Sequence, residues 1–128
     1  MQTTNIDTAC QAFAYLAQGW ATGDFQPYIE MLSDDVSFSL PVGTQRGQPF
    51  SYEGKEEIIA RVRSRQAAGD RLTFSPPDRI TSNDTTVTFE FESQGTIRNQ
   101  PFQGRNAISF DVKNNQISSI REYFGDIN

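Results

Sequence analysis

The chain reads as one α+β domain, with helices in its first half and antiparallel strands in its second. Three observations carry this. Apolar residues recur at helical spacing near the N-terminus, a narrower apolar stripe returns after Gly54, and from Arg71 onward apolar and polar residues alternate between turn signals. At 128 residues the chain can build one core, and neither a repeat nor a composition break divides it, so residues 1–128 form a single domain.

The first helix carries Ile6, Ala9, Cys10, Phe13, Leu16, Ala17 and Trp20 on one stripe. Thr4 or Asn5 can cap it, Asp7 meets the positive end of its dipole, and Gly23 ends it. Asp24 is placed to cap a short second helix bearing Phe25, Tyr28, Ile29 and Leu32, with Pro27 tolerated in the first turn. Asp34-Asp35 reads as a solvated turn. Val36, Phe38 and Leu40 then alternate with serines as a strand ending at Pro41.

Residues 41–54, rich in Pro, Gly and Gln, read as a long loop, either a functional lid or a plain surface crossing. A third helix follows Gly54, with Ile58, Ile59 and Val62 as its apolar stripe and Glu57 spaced to pair with Arg61. Leu72 and Phe74 alternate before Pro76-Pro77, and Asn83-Asp84 signals a turn. Val87, Phe89 and Phe91 then alternate with Thr88, Glu90 and Glu92. Gly95 bends the chain. Ile108, Phe110 and Val112 make another strand, Asn114-Asn115 suits a tight hairpin turn, and a last strand runs from about Gln116 to Phe124.

Composition limits the chemistry. The chain has no histidine and one cysteine, Cys10. That excludes Ser-His-Asp and Cys-His catalysis, His-ligated metals and an intrachain disulfide. Cys10 reads as a buried thiol, and no metal or cofactor is expected. A net charge of −5 argues against nucleic acid and anionic membranes as partners. No stretch approaches a transmembrane span or a secretory leader, and a cytoplasmic location is the expectation.

The order of these residues resembles a known family. The run Trp20-Ala21-Thr22-Gly23-Asp24-Phe25, then Leu32-Ser33-Asp34-Asp35-Val36 and Phe38-Ser39-Leu40-Pro41, is similar to the SnoaL-like and ketosteroid-isomerase-like branch of the nuclear transport factor 2-like superfamily. The helix start Gly54-Lys55-Glu56-Glu57-Ile58 and the closing Arg121-Glu122-Tyr123-Phe124-Gly125 fit it too. The resemblance covers essentially the whole chain. It implies a cystatin-like cone, in which a curved antiparallel sheet packs on the three helices around a deep pocket. It also implies a homodimer through the outer sheet face. Members include isomerases, cyclases, dehydratases and binding modules without catalysis, so fold does not decide function.

Ketosteroid isomerases of this branch use a carboxylate before a Pro-Val-Gly on the first strand, a tyrosine on helix one and a protonated Asp on a later strand. Here Leu40 precedes Pro41-Val42-Gly43, and the other two positions fall on Leu16 and Ile108. None of the three can exchange a proton or donate to an enolate, so ketosteroid isomerase activity is expected to be absent. The same residues suggest an apolar pocket of Phe13, Leu16, Trp20, Phe38, Leu40 and Val87. Phe89, Phe91, Ile108 and Phe110 complete it, although the same list also describes an ordinary filled core.

One carboxylate stands out. Ile120, Glu122 and Phe124 share a face of the last strand, and the two apolar residues suggest that it points inward. Ile117 lies on the opposite parity, which requires a bulge near Ser118-Ser119. Glu122 is therefore the candidate acid or base. Arg61, with Arg65 on the same helical stripe, is its expected partner inside the cavity, and a rim or structural role for Glu122 is the competing reading. Glu90, Glu92, Arg98, Arg105 and Arg121 are spaced to pair on the outer sheet face, in or beside a dimer interface. The resulting expectation is a binder of a small hydrophobic molecule. The alternatives are a metal-free isomerase, cyclase or dehydratase using Glu122, or a dimerisation or protein-interaction module.

Overall fold

The structure, a computed structural model, describes residues 4–40 and 50–126. Pro41-Val42-Gly43 and most of the 41–54 segment lie outside the described residues.

Helix α1 (Asn5–Thr22) begins with a capping box. The Thr4 hydroxyl accepts from the Asp7 N–H at 3.0 Å, and the Asp7 carboxylate accepts from the Thr4 N–H at 3.5 Å. Asn5 donates to the Asp84 carbonyl at 2.7 Å, which ties the helix start to a distant strand turn. Gly23 ends α1 in the left-handed region at φ 88°. The short α2 (Gln26–Glu30) starts one residue later than Asp24 capping would place it: Phe25 holds the cap position, and Asp24 accepts from the Gln26 N–H at 3.2 Å.

Strand β1 (Leu32–Leu40) absorbs Asp34 and Asp35, contrary to the expected turn. Its register against the last strand is irregular between Leu32 and Ser37, which lets two exposed acids ride on a strand without burial. Strand β2 (Phe50–Glu53) pairs antiparallel with β1 where only loop was expected. Helix α3 (Lys55–Ala67) follows Gly54, whose φ of 90° favours glycine, and buries Ile58 and Val62. Glu57 and Arg61 form no ion pair among the described residues, because the Arg61 guanidinium turns to the Phe38 ring, 5.0 Å from its centre.

The remaining strands are β3 (Arg71–Phe74), β4 (Arg79–Ser82), β5 (Thr86–Ile97), β6 (Gln100–Lys113) and β7 (Gln116–Asp126). The sheet runs β2-β1-β7-β6-β5-β3, with β4 on the same edge of β5 as β3 but further along it. It is curved and unclosed, and it is not wholly antiparallel: β1 and β7 run parallel. Gly95 sits within β5 rather than ending it. A Cβ there would strike the Arg71 carbonyl, so glycine allows β3 to approach. The chain reverses at Arg98-Asn99, with φ 52° and 63°, and again at Asn114-Asn115, with φ 54° and 62°.

The core lies between α1 and the inner face of the sheet. The Phe13 ring stacks on Phe89 at 4.7 Å and meets Phe91 edge-on at 4.9 Å. Cys10 is only partly buried and packs at the edge of this core, while burial and the nearby Asp7 charge raise its thiol pKa. The bulge falls where parity required it. Asp111 pairs with Ser119 and Val112 with Ile117, leaving Ser118 as the extra residue, so Ile117 and Ile120 are both buried.

The outer face is polar and cross-linked. Arg105 reaches Glu92 at 2.6 Å and Asp78 at 2.7 Å, and Arg79 lies 3.8 Å from Glu90. Arg121 pairs with Asp111 at 3.0 Å, while Arg98 takes no part through its side chain among the described residues.

Candidate functional site

A cavity of about 100 Å³ opens between α3 and the β5–β6 hairpin. Its apolar wall comes from Trp20 of α1, Leu72 and Phe74 of β3, Ile97 of β5 and Phe102 of β6. Its polar groups are Arg61 and Arg65, one turn apart on α3, with Asn106 of β6 and Glu122 of β7. A smaller void of about 20 Å³ shares Trp20, Arg61 and Glu122 and reaches Leu16, Tyr28 and Phe38.

The backbone explains why these side chains converge. Glu122 lies opposite Ile108 in the β6–β7 ladder, and Asn106 lies two residues further along the same face. Directly paired residues share a face, so the Ser118 bulge and the ladder together aim Glu122 inward. Burial raises the Glu122 pKa, and the charges of Arg61 and Arg65 oppose that rise. Glu122 nevertheless closes no ion pair among the described residues, although it faces both arginines across the cavity. The Arg61–Glu122 relationship is therefore electrostatic across a gap rather than the contact pair expected.

Arg65 is held from behind. Its Nη1 lies 3.5 Å from the Asp70 carboxylate, whose side chain is fully buried and which also accepts from the Arg98 N–H at 2.9 Å. Asn106 accepts from the Ser93 hydroxyl at 2.8 Å, leaving its NH₂ group without a protein partner among the described residues. The Tyr28 phenol is buried. That burial, strengthened by the Glu122 charge and opposed by Arg61, raises its pKa well above the ordinary tyrosine range and keeps it protonated. Among the described residues there is no cluster of three or more His, Cys, Asp or Glu able to hold a metal ion.

Of the residues named from sequence, Leu16, Trp20, Phe38, Arg61 and Glu122 line the two spaces. Phe13, Val87, Phe89 and Phe91 are packed into the core, as are Ile108, Phe110 and Ile120. These seven fill the space between α1 and the central strands, so the open volume lies further along, toward the hairpin. The side chains of Leu40 and Phe124 lie outside the described residues. Sequence reasoning passed over Tyr28, Asn106, Ile97 and Phe102 as lining residues and Asp70 as a buried support. Asn106 and Phe102 share the parity of Ile108, which was the available signal. Asp70, just after Gly69, offers none.

A two-layer cone with a pocket at one end of the sheet is the architecture of the nuclear transport factor 2-like superfamily. The chain belongs to the SnoaL-like domain family, whose profile matches residues 12–120. A nuclear transport factor 2-like protein from Anabaena variabilis is 37% identical, with a TM-score of 0.82, covering 98% of this chain and 95% of that one. A protein of unknown function with a cystatin-like fold from Xanthomonas campestris is 16% identical, with a TM-score of 0.77, covering 97% and 92%. An LEH-like epoxide hydrolase from M. tuberculosis is 22% identical, with a TM-score of 0.70, covering 92% and 83%. The last two are alike in fold alone. No curated protein matches.

Proposed function

We propose that this chain binds a small hydrophobic molecule in the cavity between α3 and the β5–β6 hairpin. The supporting observation is the cavity itself: a wall of aromatic and aliphatic side chains with a few polar groups converging on one space. At about 100 Å³ it suits a compact ligand; an apolar protein cavity of about 150 Å³ holds benzene. Trp20 borders the cavity and is the one tryptophan in the sequence, so its emission reports on occupancy. The test is a screen of small apolar ligands by Trp20 fluorescence, with native mass spectrometry for anything retained on purification. Saturable binding is expected, and its absence across the screen overturns the reading.

A second reading is a metal-free isomerase, cyclase or dehydratase in which Glu122 exchanges the proton. It is supported by an inward carboxylate whose burial brings its pKa closer to neutrality. A bell-shaped pH–rate profile lost in Glu122→Gln would separate it from the first. The outer sheet face suits a homodimer interface, since Tyr123 is exposed beside a lattice of threonine, serine and paired charges. Sedimentation tests this, and a monomer at micromolar concentration overturns it. If the face instead takes another protein, the dimerisation or interaction reading gains. No helix among the described residues is long and apolar enough to cross a membrane.

A further inference from the structure

We propose that the cavity's ligand is a compact monocarboxylic acid whose apolar body lies on Trp20, Phe74 and Phe102 and whose carboxylate is seated by Arg61 and Arg65. This rests on the reading of the cavity as a ligand site and adds the chemical class of the ligand.

Two guanidiniums stand one helical turn apart and both face the open space. Arg61 has no ion pair among the described residues; its guanidinium lies over the face of the Phe38 ring, a contact that leaves its N–H groups in the plane available. Arg65 shares one nitrogen with Asp70 at 3.5 Å, a long contact that orients the side chain and leaves its other donors without a partner among the described residues. Two arginines with free donors are matched to a planar, bidentate anion. The Asn106 NH₂ group adds a third donor on the same cavity.

The charged and titratable groups facing this seat are Arg61 and Arg65 from α3, Glu122 from β7 and the Tyr28 phenol from α2, with Asp70 behind Arg65. Glu122 is the one carboxyl group among the described residues that line the cavity. It stands across a gap from Arg61 rather than in contact, so the guanidinium keeps room for a second carboxylate. A neutral apolar ligand would leave Arg61 without an anionic partner and Arg65 with Asp70 alone, and an ammonium ligand would face both guanidiniums directly. Charge-assisted hydrogen bonds are the stronger kind, so the acid should bind about tenfold or more tighter than its neutral isostere.

The experiment titrates the protein with propanoate, propanamide and propylamine, sized to the cavity, at neutral pH, following Trp20 emission and heat. The expected order is acid well ahead of amide, with the amine weakest. Arg61→Gln, checked by thermal melting for a native-like fold, should shrink the acid-to-amide ratio severalfold, and Arg61→Lys should restore part of it. An amide or amine that matches the acid overturns the anionic assignment while leaving the pocket reading standing. An unchanged ratio in folded Arg61→Gln overturns the arginine seat. If none of the three binds, the pocket reading fails and this inference fails with it. Should Arg61→Gln not fold, the order among the three probes on the unaltered protein decides.

Discussion

The buried carboxylate of Asp70 accepts the backbone N–H of Arg98 at 2.9 Å, joining the start of β3 to the tip of the β5–β6 hairpin. Arg98 is in the left-handed region at φ 52°, so this bond holds a turn that the side chain does not favour. The same carboxylate orients Arg65 toward the cavity.

Asp70→Ala leaves an N–H unpaired, frees Arg65 and opens a small void. Breaking a buried, charge-bearing contact of this kind costs about 3 kcal/mol or more. Urea unfolding should show that loss, with Asp70→Asn losing less because its carbonyl oxygen still accepts from Arg98. A loss below about 1 kcal/mol for Asp70→Ala would mean that the hairpin tip is held elsewhere.

Glu122 makes stability fall as pH rises. Its pKa is raised in the folded chain, so between the ordinary glutamate value and the raised one the native state holds more protons than the unfolded state. The contribution is fully present below the ordinary value and is lost as pH climbs through the raised one. Glu122→Gln should abolish this part of the slope and gain stability relative to the parent above that window. Denaturant midpoints across pH 4 to 8 measure it, and parallel curves for the two proteins would contradict it.

Gly19 lies against the Phe25 ring, where an added Cβ would overlap the ring carbons. Gly19→Ala gains about 1 kcal/mol of helix propensity. Against that stands an overpacking cost of about 1–3 kcal/mol, because Phe25 is itself buried and in edge contact with Trp20 at 5.7 Å. The net outcome is destabilisation with a shift in Trp20 emission. A more stable variant would show that Phe25 can swing aside freely.

Ketosteroid isomerisation should not occur. Leu16 and Ile108 are buried aliphatic residues at the positions where a tyrosine and a protonated acid would polarise the steroid carbonyl. The measurement is conversion of a β,γ-unsaturated ketosteroid followed by conjugated-enone absorbance, and turnover above the buffer rate would refute it.

Much of the frame was legible because it rests on periodicity and turn chemistry. The α1 stripe, the Asn114-Asn115 turn and the Ser118 bulge are each written in local pattern. Strand β4 was not, since all four of its residues are exposed and no alternation marks it. Nor was β2, a four-residue strand whose pairing with β1 is tertiary. Within the site, parity exposed Glu122, and helical spacing exposed Arg61 and Arg65. The place of the open volume was hidden, because a list of apolar residues does not distinguish those that meet each other from those that face a gap. Phe13 and Phe102 are equally apolar; one is stacked into the core and the other borders the cavity.

The extra residue at Ser118 acts as a phase shifter for the last strand. Were Ser118 paired in a regular ladder instead of bulged out, every side chain beyond would exchange faces, placing Arg121 inside and Glu122 outside. A third guanidinium would then crowd the two on α3, and Asp111 would lose its partner on the outer face. The sign of the charge on the β7 side of the cavity is thus set by a count of backbone units. Deleting Ser118 itself would straighten the strand and leave Glu122 facing the chamber; the looped-out unit is what lets Ile117 and Glu122, an odd number of residues apart, share one face.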